Sequence, residues 1–548
     1  MVNTKKLLKK DISFNSLIWC MVFAILIGCR SKIKHEETSK DNIKFEPTVE
    51  SLQQYETPEW YKDAKFGIYC HWNAQSASKS SNSGWYARHM YQEGHPAYKD
   101  HLKNWGHPSE VGYKDIIEAW EGDKFDAEKW IGLFADAGAK YVMTMAVHHD
   151  NFDFWDSKYQ PKWNSLNYGP KVDVCKEMRD AAHDAGLRWG ARTHLGRTYS
   201  WFQTNKGADS TGAKKGIPYD GNDPSYQDLY LEKASADQIG KEYNQIRHPL
   251  KPSEAWVEHW KNRIKDLIDN YHPDHLYFDG ALPFMNDQGK AGLEILAHYY
   301  NHNASRHNGK NEGVMVIKDI KDHGYFYEGI SSVVLERTRE NDIVHPMRET
   351  ENSIGPWFYN GNETSYRSSK SLLHEMIDVV SKNCNFVLNV PPRPDGSFDD
   401  ATKTILRDFG SWLDQNGEAI YSSRPYNVFG EDKVRFTVKG NNLYVILLEK
   451  PSQDKLIQTL KAWKETDIKG VELLGHNGPI QWKSSKEGMN LSFPDELPAQ
   501  LAYVIKIKCN QSPNLLPFVK SGSEDVEKIN EKNKQKYGAD GDGNHQLD

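Results

Sequence analysis

Four times in this chain a short apolar run stops at a histidine or an aspartate and then turns. The clearest case is His272-Pro-Asp-His-Leu-Tyr-Phe-Asp-Gly280. Trp256, Trp260, Ile264, Leu267 and Ile268 recur before it at helical spacing, and Pro273 closes that helix. Leu276 to Phe278 then reads as a buried strand that delivers Asp279 to a turn at Gly280. Helix, tight turn, strand and an acid at the strand's carboxyl end make the unit of a parallel α/β barrel, whose chemistry sits on that face. Taken alone, Asp279 is a solvated residue opening a turn. The rest of the chain reverses that reading.

Lys65-Phe-Gly-Ile-Tyr-Cys-His-Trp72 predicts a first strand ending in His71. Asp126 caps a helix with Trp130, Leu133, Phe134 and Ala137 on one face, and Gly138 stops it. The strand Tyr141 to Val147 follows and ends in His148-His149-Asp150. A helix through Val174, Met178 and Ala181 leads to the strand Leu187 to Thr193, which ends in His194. Further strands are predicted at Val314–Ile317, Val333–Leu335 and Phe386–Val390, with helices around Leu373–Val380 and Ile405–Leu413. The alternation predicts an α/β fold, a (β/α)₈-like catalytic barrel over residues 51–424. Its long connection 73–115 carries Trp85 and Tyr86 and is too aromatic for disorder. The polar stretch Thr198 to Tyr230 reads either as a wall of the site or as a surface insertion.

After Tyr426 the period changes to two. Val434, Phe436 and Val438 alternate with polar residues, Gly440-Asn-Asn442 turns, and Leu443, Val445 and Leu447 return. Val471–Leu474, Gln481–Lys483 and Ala502–Ile507 continue the pattern, predicting a small antiparallel β-sandwich over residues 425–510. A lectin role for it is the lesser reading, because its few aromatics keep the strand phase and so belong to packing. Residues 511–548 are polar and read as a disordered tail. At the other end Lys5, Lys6, Lys9 and Lys10 precede the apolar run Leu17 to Ile27, a targeting segment. Its end, Leu26-Ile27-Gly28-Cys29, resembles a bacterial lipoprotein lipobox. That resemblance implies a signal peptide over 1–29, lipid on the Cys29 thiol and a flexible tether over 30–50. The plainer alternative is an ordinary cleaved signal peptide.

A net charge of −7 without a basic stripe argues against nucleic acid as a partner. None of the six cysteines is spaced as a metal ligand. His71, His148, His149, His194 and Asp279 then allow three readings. A zinc site has the atoms, but adjacent strand residues point to opposite faces, so His148 and His149 would not both ligate. A sugar pocket suits neutral imidazoles, which donate one hydrogen bond and accept another, above a floor of Trp and Tyr. Core histidines are the third reading. Glycoside hydrolysis needs two carboxyls. Asp279 is the natural nucleophile, and Glu336 is the partner after an apolar strand, with Glu340 and Glu349 as rivals. Arg337 or Arg339 paired to Glu336 would lower its pKa and work against an acid role.

Lys65–Trp72, His148-His-Asp-Asn-Phe-Asp-Phe-Trp155, Leu276–Gly280, Arg348-Glu-Thr-Glu-Asn-Ser-Ile-Gly-Pro-Trp357, Phe386-Val-Leu-Asn-Val-Pro-Pro392 and Asn416-Gly-Glu-Ala-Ile-Tyr421 resemble, in order, the blocks of glycoside hydrolase family 29, the α-L-fucosidases. The resemblance implies a retaining exo-glycosidase that releases α-linked L-fucose from glycans without metal or other cofactor. It implies Asp279 as nucleophile, Glu336 as acid/base, and a sugar pocket made by His71, Trp85, Tyr86, His148, His149, His194, Tyr277 and Trp357. With the lipobox, it implies an enzyme exported and anchored to a bacterial membrane, the outer membrane on its periplasmic side or at the cell surface. Gly84 stands where many members carry Glu, and Arg192-Thr-His194 where many have Tyr-Tyr-Ser. These departures leave open a glycosidase for another L-sugar such as an α-L-galactoside, or a non-catalytic glycan-binding lipoprotein. Oligomeric state leaves no mark in the sequence.

Overall fold

The computed structural model describes residues 44–80, 84–235, 238, 251–284, 287–319, 324–361, 365–497, 499–520, 528 and 530–532. Cys29, the targeting segment and most of the tether and tail lie outside the described residues. Among the described residues no helix is long and apolar enough to cross a membrane.

Eight parallel strands close into a barrel in sequence order. They are β1 (Phe66–Cys70), β2 (Tyr141–Val147), β3 (Arg188–Thr193), β4 (His275–Phe278), β5 (Val314–Ile317), β6 (Ser332–Glu336), β7 (Arg348–Ser353) and β8 (Cys384–Asn389). Closure is made by β1, where Ile68 lies opposite both Val142 and Leu388. Helices outside the strands include α1 (Ala127–Asp136), α2 (Val174–Asp184), α3 (Glu254–Tyr271), α4 (Lys290–Arg306), α5 (Ser369–Ser381) and α6 (Asp400–Asn416). Asp126 caps α1 as its sequence position predicts, accepting from Lys129 N–H at 3.0 Å. Every residue of β2 is buried, as a parallel strand covered on both faces requires.

One strand has no apolar signature. β7 reads Arg-Glu-Thr-Glu-Asn-Ser, and all but its first residue are buried. Its acids are carried by partners inside the barrel. Glu349 accepts from Tyr61 Oη at 2.6 Å and faces His275 Nε2 at 3.1 Å, while Glu351 is paired with Arg192. Satisfied charge replaces hydrophobic burial there, so periodicity could not find the strand.

The carboxyl-terminal region has two antiparallel sheets. One runs in the order β13 (Ile468–Leu473), β16 (Tyr503–Cys509), β11 (Asn442–Leu447), β10 (Val434–Lys439), β9 (Arg424–Glu431). The other is β12 (Asp454–Ile457), β15 (Met489–Ser492), β14 (Gln481–Ser484). Phe436, Trp463 and Phe493 are buried in the shared core. Asp378 of α5 ties this region to the barrel: it bonds Arg435 of β10 at 2.6 Å, Lys382 at 2.8 Å and Arg339 at 3.0 Å.

Two expected flexible stretches are packed where they are described. Phe45 is 4% exposed and exchanges backbone hydrogen bonds with the Asn301 side chain at 2.8 and 2.7 Å, so the tether ends before residue 50. The expected tail does not begin at 511. Trp463 Nε1 donates to the Pro517 carbonyl at 3.0 Å, Val519 N–H to Thr459 at 3.1 Å, and Lys520 pairs with Asp342 at 2.7 Å.

Candidate active site

The carboxyl ends of the barrel strands surround a narrow, closely lined polar cavity. His71 follows β1, His148 and His149 follow β2, His194 follows β3, Asp279 follows β4, and Glu336 ends β6; all six line it. Trp85, Tyr277 and Trp357 line it as well. A wider cleft lies near the residues that precede β6 and β7, but its Arg424 is paired with Glu59 and Asp63 and its Lys520 with Asp342. No convergent carboxyl pair is found in that lining.

The expectation that His148 and His149 diverge is corrected by the structure. β2 stops at Val147, both residues lie in the turn beyond it, and their ring centroids are 4.5 Å apart. Strand alternation no longer governs them. Burial pushes His71 down to about 3 and His148 and His194 well below the usual histidine value, so these rings are neutral.

Neighbours assign their protons. Asn389 Nδ2 donates to Ser353 Oγ and the Trp357 carbonyl, each at 2.8 Å, so its Oδ1 accepts from His71 Nδ1 at 3.1 Å. His71 Nε2 is left as an acceptor. Gln75 Oε1 accepts from Ala87 N–H at 3.2 Å, so Gln75 Nε2 donates to His148 Nδ1 at 3.1 Å. The His148 hydrogen therefore sits on Nε2. One ligating atom from each of His71, His148 and His194 falls within a 4.8 Å cluster, the spacing of a metal site. With its lone pair committed to Gln75 and a hydrogen on Nε2, His148 is set to donate to a hydroxyl rather than to ligate an ion.

Asp279 is held from several sides. Its N–H donates to the Thr193 carbonyl at 3.0 Å, and Gly280 turns the chain with φ +125°, a conformation open to glycine. His149 Nε2 lies 3.1 Å from Oδ2, and Lys318 Nζ lies 2.6 Å from Oδ1. Burial alone would raise this carboxyl, but Lys318, Arg197 and the imidazoles outweigh it and hold Asp279 well below the usual carboxylate range. The same Lys318 Nζ also bonds Glu336 Oε2. Burial lifts Glu336 to about 7, against Lys318 and with help from Glu351 and Asp279. One ammonium within hydrogen-bond reach of both puts the two carboxylate oxygens no more than ~6 Å apart.

Lys318 follows β5 as His71 follows β1, so the strand-end rule applied to all charged residues would have found it. Arg197, Glu351, Tyr69 and Phe358 line the cavity without a sign in the sequence, and Arg192, noted there as a departure from the family pattern, lines it too. One expected contact is not made, and two open alternatives close. Tyr86 is absent from the lining: it is fully buried and its hydroxyl is bonded to His101 Nδ1 at 2.6 Å. Glu349 lies among Tyr61, Tyr141 and His275, and Glu340 pairs with Arg348 at 2.6 Å; neither reaches the cavity. The arginines after β6 do not neutralise Glu336. Arg337 lies over the Trp357 ring at 4.2 Å, and Arg339 pairs with Asp378. Thr198 to Tyr230 packs behind the site and does not line it: Trp201 lies 5.5 Å from the His149 ring and 6.2 Å from Trp85.

The family model described as Alpha-L-fucosidase matches residues 32–418, and that of the Alpha-L-fucosidase C-terminal domain matches residues 427–508. Plasma alpha-L-fucosidase of Homo sapiens is 28% identical over 472 residues, covering 82% of this chain and 89% of that protein. Tissue alpha-L-fucosidase of Homo sapiens is 25% identical over 505 residues, covering 89% and 96%. The crystal structure of Thermotoga maritima alpha-fucosidase in complex with fucose superposes with a TM-score of 0.65 at 25% identity, over 84% of this chain and 100% of that one.

Proposed function

This chain belongs to the α-L-fucosidase family, glycoside hydrolase family 29, and from that premise we propose that it is a retaining, exo-acting α-L-fucosidase with Asp279 as nucleophile and Glu336 as acid/base. The observation that carries the reading is the Lys318 bridge between the two carboxylates. Their closeness suits double displacement, which places the pair ~5–5.5 Å apart, against ~6.5–9.5 Å when a water must fit between.

Asp279, ionised beside Lys318, attacks the anomeric carbon as the glycosidic C–O bond breaks. Glu336, kept protonated by burial, gives its proton to the departing oxygen. Glu336 then takes a proton from water, whose oxygen displaces Asp279 from the same carbon. Two inversions restore the α configuration. His194 Nδ1 donates to the Val147 carbonyl at 3.3 Å, which leaves its Nε2 as an acceptor. His148 Nε2–H and the acceptor nitrogens of His71 and His194 match a ring of hydroxyls, and Trp85 and Trp357 offer its apolar floor. A pair of carboxyls on one lysine is superfluous to a binding protein, which favours turnover over a glycan-binding role. The family's substrate favours L-fucose over another L-sugar. The substrate is then a fucosylated oligo- or polysaccharide.

The test is hydrolysis of an aryl α-L-fucoside with azide present. Glu336→Ala should release α-fucosyl azide, through the intact covalent intermediate, and Asp279→Ala β-fucosyl azide, through one direct displacement. Undiminished turnover by Glu336→Ala would remove it from the acid/base role. The lipobox-like Leu26–Cys29 supports an exported, lipid-anchored enzyme on a bacterial membrane. Cys29→Ser should then move the protein from membrane to soluble fractions, and unchanged membrane retention would sink the anchor.

A further inference from the structure

Arg197 ends the 3₁₀ turn Leu195–Arg197 after β3 and lines the cavity that holds Asp279 and Glu336. It is 6% exposed, and its Nε and Nη2 are buried without a hydrogen-bond partner. No carboxylate among the described residues forms an ion pair with it. The other cations of the cavity each have a carboxylate partner, although Arg192 Nε and Nη1 are likewise buried without a hydrogen bond. Lys318 holds Asp279 and Glu336, and Arg192 pairs with Glu351 between the rings of Tyr69 and Tyr277, at 3.9 and 3.6 Å. A buried guanidinium without an acceptor is costly, and in a binding cavity the ligand is what can supply one.

Charge points the same way. Arg192, Arg197 and Lys318 face Asp279, Glu336 and Glu351 in the lining. To act as acid, Glu336 must carry a proton, which leaves the cations of the cavity in excess of its anions. Arg197 is the one of them without an ion pair. Gly84 also lines the cavity and brings no side chain that would repel an anion.

We infer that Arg197 receives an anionic substituent of the substrate, a sulfate ester or a carboxylate on the fucose or on the group bonded to it. The substrate class is then an anionic α-L-fucoside, an inference that rests on the fucosidase reading above. A guanidinium suits the task because its planar N–H donors engage two oxygens of one sulfate or carboxylate.

The experiment compares aryl α-L-fucosides that are unsubstituted, singly O-sulfated at position 2, 3 or 4, or carboxylated on the aryl group. Wild type, Arg197→Gln and Arg197→Lys are assayed, with thermal melts to verify folding. One anionic substrate should exceed the neutral one in kcat/KM by about 10- to 100-fold in wild type, the scale of a charge-assisted hydrogen bond. Which one wins locates the anion. Arg197→Gln should bring the ratio near unity, and Arg197→Lys should keep part of it. Inorganic sulfate should compete with the neutral substrate in wild type and much less in Arg197→Gln. Cleavage of the neutral fucoside with no anionic preference, or a preference that survives Arg197→Gln, overturns this inference alone. Equal losses on every substrate with a raised acid limb would make Arg197 a partner of Asp279 only. A wild type that cleaves none of them sinks the fucosidase reading together with this one.

Discussion

His149 and Asp279 share a proton. His149 Nδ1 lies 2.7 Å from the His194 carbonyl, which can only accept, so Nδ1 carries a hydrogen. Nε2 lies 3.1 Å from Asp279 Oδ2, and a second proton has to sit between those two atoms. Burial pulls the His149 pKa down and the Asp279 carboxylate opposes it. With Lys318 on Oδ1, both oxygens of the proposed nucleophile face N–H donors.

Replacing His149 with Phe removes the donor on Oδ2. Activity on a neutral aryl fucoside should fall by about 10²- to 10³-fold, the usual cost of one preorganised donor. The acid limb of kcat/KM should move up in pH, because Asp279 loses a group that favours its ionised form. An unmoved limb would leave His149 a contact of the sugar alone.

Wild-type kcat/KM should decline on the alkaline side near pH 7, where Glu336 loses its proton. No acid decline should appear until well below the usual carboxylate range, since Asp279 is depressed. Lys318 lowers both carboxyls, so Lys318→Met should raise both limbs. A profile that only shrinks without shifting would confine Lys318 to a structural role.

Tyr86→Phe should leave KM within a factor of two and cost about 1–3 kcal/mol of stability, through the His101 nitrogen left without its partner. Denaturant melts and initial rates on one preparation separate the two effects. A large rise in KM with unchanged stability would return Tyr86 to the sugar pocket.

Asp378→Asn should destabilise the protein by about 3–5 kcal/mol, since buried Arg435 and Lys382 and half-buried Arg339 lose their shared counter-charge. Burial opposes the Asp378 charge, but Lys382, Arg339 and Arg435 outweigh it and leave its folded pKa depressed. Burial pulls Lys382 down while Asp378 holds it up, so the carboxylate shared by three cations is the better-held partner. A depressed acid stabilises above its unfolded pKa of ~3.9 and loses that contribution as pH falls toward the folded value. Wild-type stability should therefore drop below about pH 4 more steeply than that of Asp378→Asn. Parallel curves would show that Asp378 is not the group responsible.

Where strands were apolar and ended at a special residue, the sequence was legible. β2 was anticipated at its observed bounds, and β3, β4 and β6 to within a residue or so at either end. That rule brought His71, His148, His194, Asp279 and Glu336 to one cavity. It passed over β7, whose burial rests on paired charge, and with it Glu351. Lys318 also follows an apolar strand, outside a rule that reads only histidine and acid at strand ends. Tyr86 misled because sequence does not fix which way a residue in the short helix Tyr86–His89 points. Arg197 lies in an irregular turn, where no periodicity reports a neighbour in space.

The polar strand β7 has a consequence for how such a chain can drift. Glu349 and Glu351 lie on one side of it, about 7 Å apart, so the first answers to His275 and the second to Arg192 and, across the sheet, to Glu336. Changing Arg192 alone strands Glu351 beside the two tyrosines that flank the pair. Changing Glu351 alone leaves an uncompensated guanidinium in the cavity lining. The two positions can be exchanged for something neutral only in the same lineage and nearly at the same time. In an inheritance made of single steps, they count as one site.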